Sequence, residues 1–96
     1  MNTIVCRAMV FTWWIIVVME NLNKTVAFII KKYRHEASFS QEELSDLANI
    51  HRTYLSQIER GLKCPTLHVL NDLSKALRIP LSVIIREMEL YELQNK

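Results

Sequence analysis

The sequence predicts an all-α domain of five helices, and three observations carry that reading. From residue 23 onward, apolar residues recur at helical spacing rather than in alternation. Start and stop signals punctuate those segments at Ser40, Asn49, Gly61, Thr66 and Pro80. The only stretch with a strand-like composition lies before residue 20, and no second strand pattern exists to pair with it.

In the first predicted helix, Val26, Ile29, Ile30 and Tyr33 recur at i, i+3, i+4 and i+7 and mark one buried face. Lys31, Lys32 and Arg34 fall largely off it, and Ser38 and Phe39 link to the next element. Ser40 and Glu43 then form an S-x-x-E capping box, in which each side chain can satisfy a backbone N–H of the other residue. Leu44, Leu47 and Ala48 share one face of the helix that follows. Asn49 can end it, because asparagine tolerates the left-handed conformation.

Ile50 is placed to plug the turn from beneath, and His51 to flank the start of the next helix. In that helix Leu55 and Ile58 face the core, and Gly61 ends it without a Cβ penalty. Residues 62–65 form a loop and Thr66 caps a fourth helix whose core face is Leu67, Leu70, Leu73 and Leu77. Pro80 separates that helix from the last. There Leu81, Ile84, Ile85 and Met88 form one stripe, while Val83, Leu90, Tyr91 and Leu93 lie partly elsewhere. A helix apolar on more than one side in so small a domain wants a partner.

The chain has 96 residues, enough for one small domain. We divide it into an apolar N-terminal extension, residues 1–22, and a helical domain, residues 23–93. The run from Ala8 to Met19 is interrupted only by Thr12. As a helix it spans about 18 Å, short of a hydrocarbon core of about 30 Å. Three readings of the extension stay open: a dispensable leader, an extra helix packed on the domain or between subunits, and a segment that touches or crosses a membrane.

Net charge is only +2, so an acidic polymer must be held by local arrangement rather than bulk charge. Lys24, Lys31, Lys32 and Arg34 fall in one segment and Arg52, Arg60 and Lys63 in another, a candidate phosphate footprint. Cys6 and Cys64 form no CxxC pair and read as reduced thiols. His35, His51 and His68 lack metal-ligand spacing. No nucleophile with an assembled base, no paired carboxylates and no glycine-rich phosphate loop occur, so we expect no enzyme, cofactor or metal.

The segment from Phe39 to Gly61 therefore reads as two short helices joined by a tight turn, the second presenting Arg52, Thr53, Ser56, Gln57 and Arg60 outward. Such a helix is shaped for the major groove, where each base pair displays a distinct edge. Arg52 can donate twice to guanine, Thr53 can offer a methyl or a hydroxyl, and Gln57, about one turn on, can pair with adenine. Gln41 opens its helix, where its side chain and nearby N–H groups can grip a phosphate. Lys63 is a further phosphate candidate. Tyr54 can reach a phosphate or pack on the sugar edge, and we expect the phosphate.

From about Val26 to Ile85 the chain resembles the lambda-repressor/Cro-type (XRE) helix-turn-helix family. The resemblance is carried by Gln41-Glu42-Glu43-Leu44, Asn49-Ile50, Tyr54-Leu55, Ile58-Glu59-Arg60-Gly61 and Pro65. Ser45 stands where the family usually has alanine, and Ser38 and Asn49 where it often has glycine. The resemblance implies a five-helix lambda-repressor-like fold with His51, Arg52, Thr53 and Gln57 as the base-facing set. It also implies an Arg34–Glu59 pair tying the first helix to the recognition helix.

The expected function is a cytoplasmic, sequence-specific transcriptional regulator that binds double-stranded DNA as a homodimer on a palindromic operator. The final helix, through Leu81, Ile84, Ile85, Met88 and Tyr91, is the expected dimer surface. HRTYLSQIERG is similar to restriction–modification controller proteins, which are autoregulators. An antitoxin-type or prophage repressor, and a membrane-tethered interaction module anchored by residues 1–19, are the alternatives.

Overall fold

The computed structural model describes residues 22–94, and these form five α-helices joined by short turns, with no strand among them. They are α1 (residues 22–36), α2 (Gln41–Ala48), α3 (Arg52–Glu59), α4 (Leu67–Leu77) and α5 (Leu81–Gln94). The all-α, five-helix expectation holds for these residues. Every reading of residues 1–19 lies outside them, as does Cys6. The first helix takes in Leu22, which packs half-buried against the core.

One core unites the helices. Ile30 of α1, Leu44 of α2, Leu55 and Ile58 of α3, Leu73 of α4 and Ile84 of α5 are all fully buried and belong to one cluster. Two expected core positions are not in it. Leu47 is 58% exposed and Leu67 is 67% exposed. On α2 the buried residues are Leu44, Ser45 and Ala48, so the core stripe runs on the side of Ser45 and leaves Leu47 outside. A serine can be buried there because its hydroxyl donates to the Glu42 carbonyl at 2.9 Å. On α4, buried Ser74 likewise donates to the Asn71 carbonyl at 2.7 Å. Leu67 opens α4 and stands off the stripe of Leu70, Leu73, Ser74 and Leu77.

The caps follow the sequence closely. Ser40 Oγ accepts the Glu43 N–H at 3.0 Å and Glu43 Oε1 accepts the Ser40 N–H at 3.1 Å, which completes the capping box. Thr66 Oγ1 accepts the Val69 N–H at 3.1 Å. The C-terminal ends of α1 to α4 share one device. A left-handed residue donates to the carbonyl three before it, and its successor to the carbonyl five back. The left-handed residues are Ser38 (φ 60), Asn49 (φ 57), Gly61 (φ 74) and Arg78 (φ 59). Serine and arginine have no special tolerance for this region, where an L-residue is strained by about 1–2 kcal/mol. Ser38→Gly or Arg78→Gly is expected to raise stability by roughly 0.5–1 kcal/mol once the extra chain entropy of glycine is subtracted. Urea or thermal unfolding of each variant checks this.

α5 is seamed to α1. Phe28 stacks on Tyr91 with ring centroids 4.6 Å apart, and Lys32 pairs with Glu87 at 3.4 Å. The Tyr33 hydroxyl donates to Glu87. Burial, that carboxylate and nearby Glu36 push its pKa up from 10.0 to about 12. The neutral form is the one the fold prefers, so this contribution is complete below pH 10 and lost as pH rises towards 12.

Candidate nucleic-acid interface

α2 and α3 meet through a turn closed by Asn49, with Ile50 half-buried beneath it as expected. α3 is divided cleanly. Leu55, Ile58 and Glu59 are buried, while His51, Arg52, Thr53 and Arg60 are exposed and Ser56 and Gln57 are half-exposed. The four residues expected to face bases thus sit together, on the start of α3 and one turn along it. His51 occupies the cap position, but its side chain makes no capping bond. The first turn of α3 also has no acidic residue. A carboxylate there would complement the helix dipole, and its absence leaves the positive end of this helix open towards a polyanion.

The three expected phosphate contacts stand differently. Lys63 is exposed in the loop after α3, next to the exposed Cys64, a free thiol. Gly61 places that loop beside α1: a Cβ on it would come within 3.8 Å of Lys24 Cγ, an ordinary contact, so it is the positive φ that favours glycine here. Tyr54 is half-buried and packed against the core. Gln41 is half-buried and its Nε2 donates to Glu59 Oε1 at 3.2 Å. The capping box occupies the N–H groups of Ser40 and Glu43, leaving those of Gln41 and Glu42 outside the ladder of α2.

The Arg34–Glu59 pair forms as expected. Arg34 Nε donates to Glu59 Oε2 at 2.8 Å and Nη2 to Oε1 at 2.9 Å, with both side chains nearly dry. Nη1 donates to the Phe39 carbonyl at 2.9 Å, and His35 Nε2 lies 3.4 Å from Nη2. This corrects the basic footprint read along the chain. Arg34 is only 8% exposed and is committed to Glu59, and Lys32 is engaged by Glu87 and lies over the Tyr33 ring at 5.3 Å. The link from Glu59 to Gln41 was not visible in the sequence; the turn between α2 and α3 folds the end of one helix against the start of the other.

The expected dimer stripe is likewise divided. Ile84 and Met88 are buried in the core of this chain, while Leu81, Ile85 and Tyr91 are half-buried against it. The apolar residues that α5 turns outward are Val83 (38% exposed), Leu90 (49%) and Leu93 (64%). Among the described residues no helix is long and apolar enough to cross a membrane, and no group of His, Cys, Asp and Glu is placed to hold a metal ion.

Comparison with known proteins agrees with this geometry. A helix-turn-helix family model matches residues 30–84, more than half of the chain. An HTH-type transcriptional regulator of Mycobacterium tuberculosis (strain H37Rv) is 38% identical over 55 residues, 57% of this chain but only 39% of that protein's length. Control protein C.SmaI of Serratia marcescens is 35% identical over 57 residues, 59% of this chain and 68% of that protein. The crystal structure of the wild-type restriction-modification controller protein C.Esp1396I superposes with a TM-score of 0.70 at 35% identity, covering 75% of this chain and 95% of that one. With this fold and the family match together, the chain belongs to the XRE-type helix-turn-helix family of DNA-binding transcriptional regulators.

Proposed function

We propose that the chain binds a palindromic operator as a homodimer and regulates its own gene in the manner of a restriction–modification controller. One observation carries the reading: His51, Arg52, Thr53 and Gln57 are accessible at the start of α3 and one turn along it, while fully buried Leu55 and Ile58 lock the helix into the core. A rigid helix with hydrogen-bonding side chains on its free face can enter the major groove without rearranging. In this scheme Arg52 and Gln57 supply bidentate base contacts, and Thr53 and His51 complete the set. Lys63, Gln41 and Tyr54 fix the register by holding phosphates.

One such helix reads few base pairs. A second copy, docked through the outward apolar residues of α5, supplies a two-fold related helix for a half-site about 34 Å away. The controller reading draws support from likeness to two controller proteins, one in sequence and one in structure. Such a regulator works in the cytoplasm, where the DNA is.

Footprinting on the DNA upstream of the chain's own gene, repeated over a salt series, tests the proposal. Two protected half-sites are expected, with affinity falling at a log–log slope of about −0.9 per phosphate contacted. Arg52→Ala is expected to cost about 1–3 kcal/mol and relax base preference, while Lys63→Ala weakens binding to every sequence alike. Equal losses on cognate and random duplexes would move Arg52 to the phosphate set. Failure to select any sequence from a random pool would remove the regulator reading.

A further inference from the structure

Glu59 does more than balance Arg34. Its Oε2 accepts Arg34 Nε, and its Oε1 accepts both Arg34 Nη2 and Gln41 Nε2. Gln41 is the first residue of α2 and Glu59 the last of α3. The remaining guanidinium nitrogen of Arg34 holds the Phe39 carbonyl, immediately before the cap residue Ser40. One buried pair therefore fastens α1, the segment leading into α2 and the side chain that opens α2, all to the end of the recognition helix. The ion pair alone is satisfied by the two Arg34 bonds, and the Gln41 bond adds orientation. It uses one Nε2 hydrogen and leaves the other, with the amide oxygen, for a ligand. A glutamine already held gives up less rotamer freedom when it meets a phosphate than one that is loose.

We propose that Glu59 is a positioning residue for DNA: by holding the Gln41 amide it sets the phosphate anchor at the start of α2 relative to the base-reading end of α3. The proposal rests on the reading of Gln41 as a phosphate contact. Glu59 itself touches no DNA; its carboxylate is buried and neutralised by Arg34. If this is right, the contribution of Gln41 to binding depends on Glu59.

The test is a double-mutant cycle on the full chain, with a short duplex that the chain has selected from a random library, at a temperature where circular dichroism shows each variant folded. In the native background Gln41→Ala is expected to weaken binding about tenfold or more and to reduce the salt slope by about 0.9, one phosphate. With Arg34→Met and Glu59→Met together, which remove both charges and the acceptor for Gln41, the same substitution is expected to cost about threefold or less. If that chain does not fold, Glu59→Asp, which keeps a charge opposite Arg34 but is shorter, carries the same measurement. A cost of Gln41→Ala that is equal in the native and altered folded backgrounds overturns the positioning role. No cost in the native chain removes the phosphate contact and the proposal with it, while Arg52→Ala still judges base reading independently.

Discussion

Arg34→Ala is expected to lower the stability of the domain by about 3–5 kcal/mol, the largest effect of any side chain outside the apolar core. The reason is what it leaves behind. Glu59 is 7% exposed, and without the guanidinium its only remaining partner of those observed is the Gln41 amide. The Phe39 carbonyl loses its donor as well. Exposed pairs contribute little because water screens them, but here the two side chains are 10% and 2% exposed and solvent cannot take over.

The loss measures a stranded charge, not the net value of the pair. Arg34→Met combined with Glu59→Met is therefore expected to lie much closer to the native chain than either single change. In a thermal melt the single variant should fall by roughly 12 °C or more, given about 4–8 °C per kcal/mol for a domain of this size. Retention of the native melting temperature with loss of DNA binding would make Arg34 a DNA contact instead.

Much of this was legible from the sequence because it is local. A capping box needs Ser40 and Glu43 three residues apart, and a left-handed turn is favoured at a residue such as Asn49, so both could be read from neighbours in the chain and both are present. The Arg34–Glu59 pair is not local; it was reached only through likeness to a family. The misplacements share one cause. Leu47 and Leu67 fit a helical period, but the period does not say where the stripe is centred, and buried serines with self-satisfied hydroxyls shifted it.

The stripe read on α5 is divided for a related reason. Helical spacing joins Ile84 and Met88 to Leu81 and Ile85 but cannot say that the chain's own core absorbs the first two. The base-facing set was reached through likeness to a family, and its members stand close together in the fold, at the start of α3 and one turn along it. With Leu55 and Ile58 pointing inward, Thr53 and Gln57, four apart, fall on the opposite side of α3, while His51 and Arg52 are exposed because they stand at its open N-terminal end.

Ile58→Ala tests that division from behind. Ile58 is fully buried, one turn from Leu55, and both join α3 to the core. Removing the side chain in close packing is expected to cost about 2–5 kcal/mol, with the spread set by how far the neighbours collapse into the space. The proposed reading residues are outside the apolar cluster that Ile58 belongs to. Per folded molecule, the ratio of affinities for cognate and random duplexes should therefore stay within about twofold of the native value, the deviation normal for independent sites.

Arg52→Ala is expected to do the reverse, leaving the melting temperature in place and eroding the ratio. A chain in which one substitution lowers stability without touching discrimination, and the other discrimination without touching stability, has a helix whose two faces do separate work. If Ile58→Ala also erased discrimination while the domain was still folded, the seating of α3 would itself be part of the reading. The base contacts would then depend on sub-ångström placement from the core rather than on side-chain identity alone.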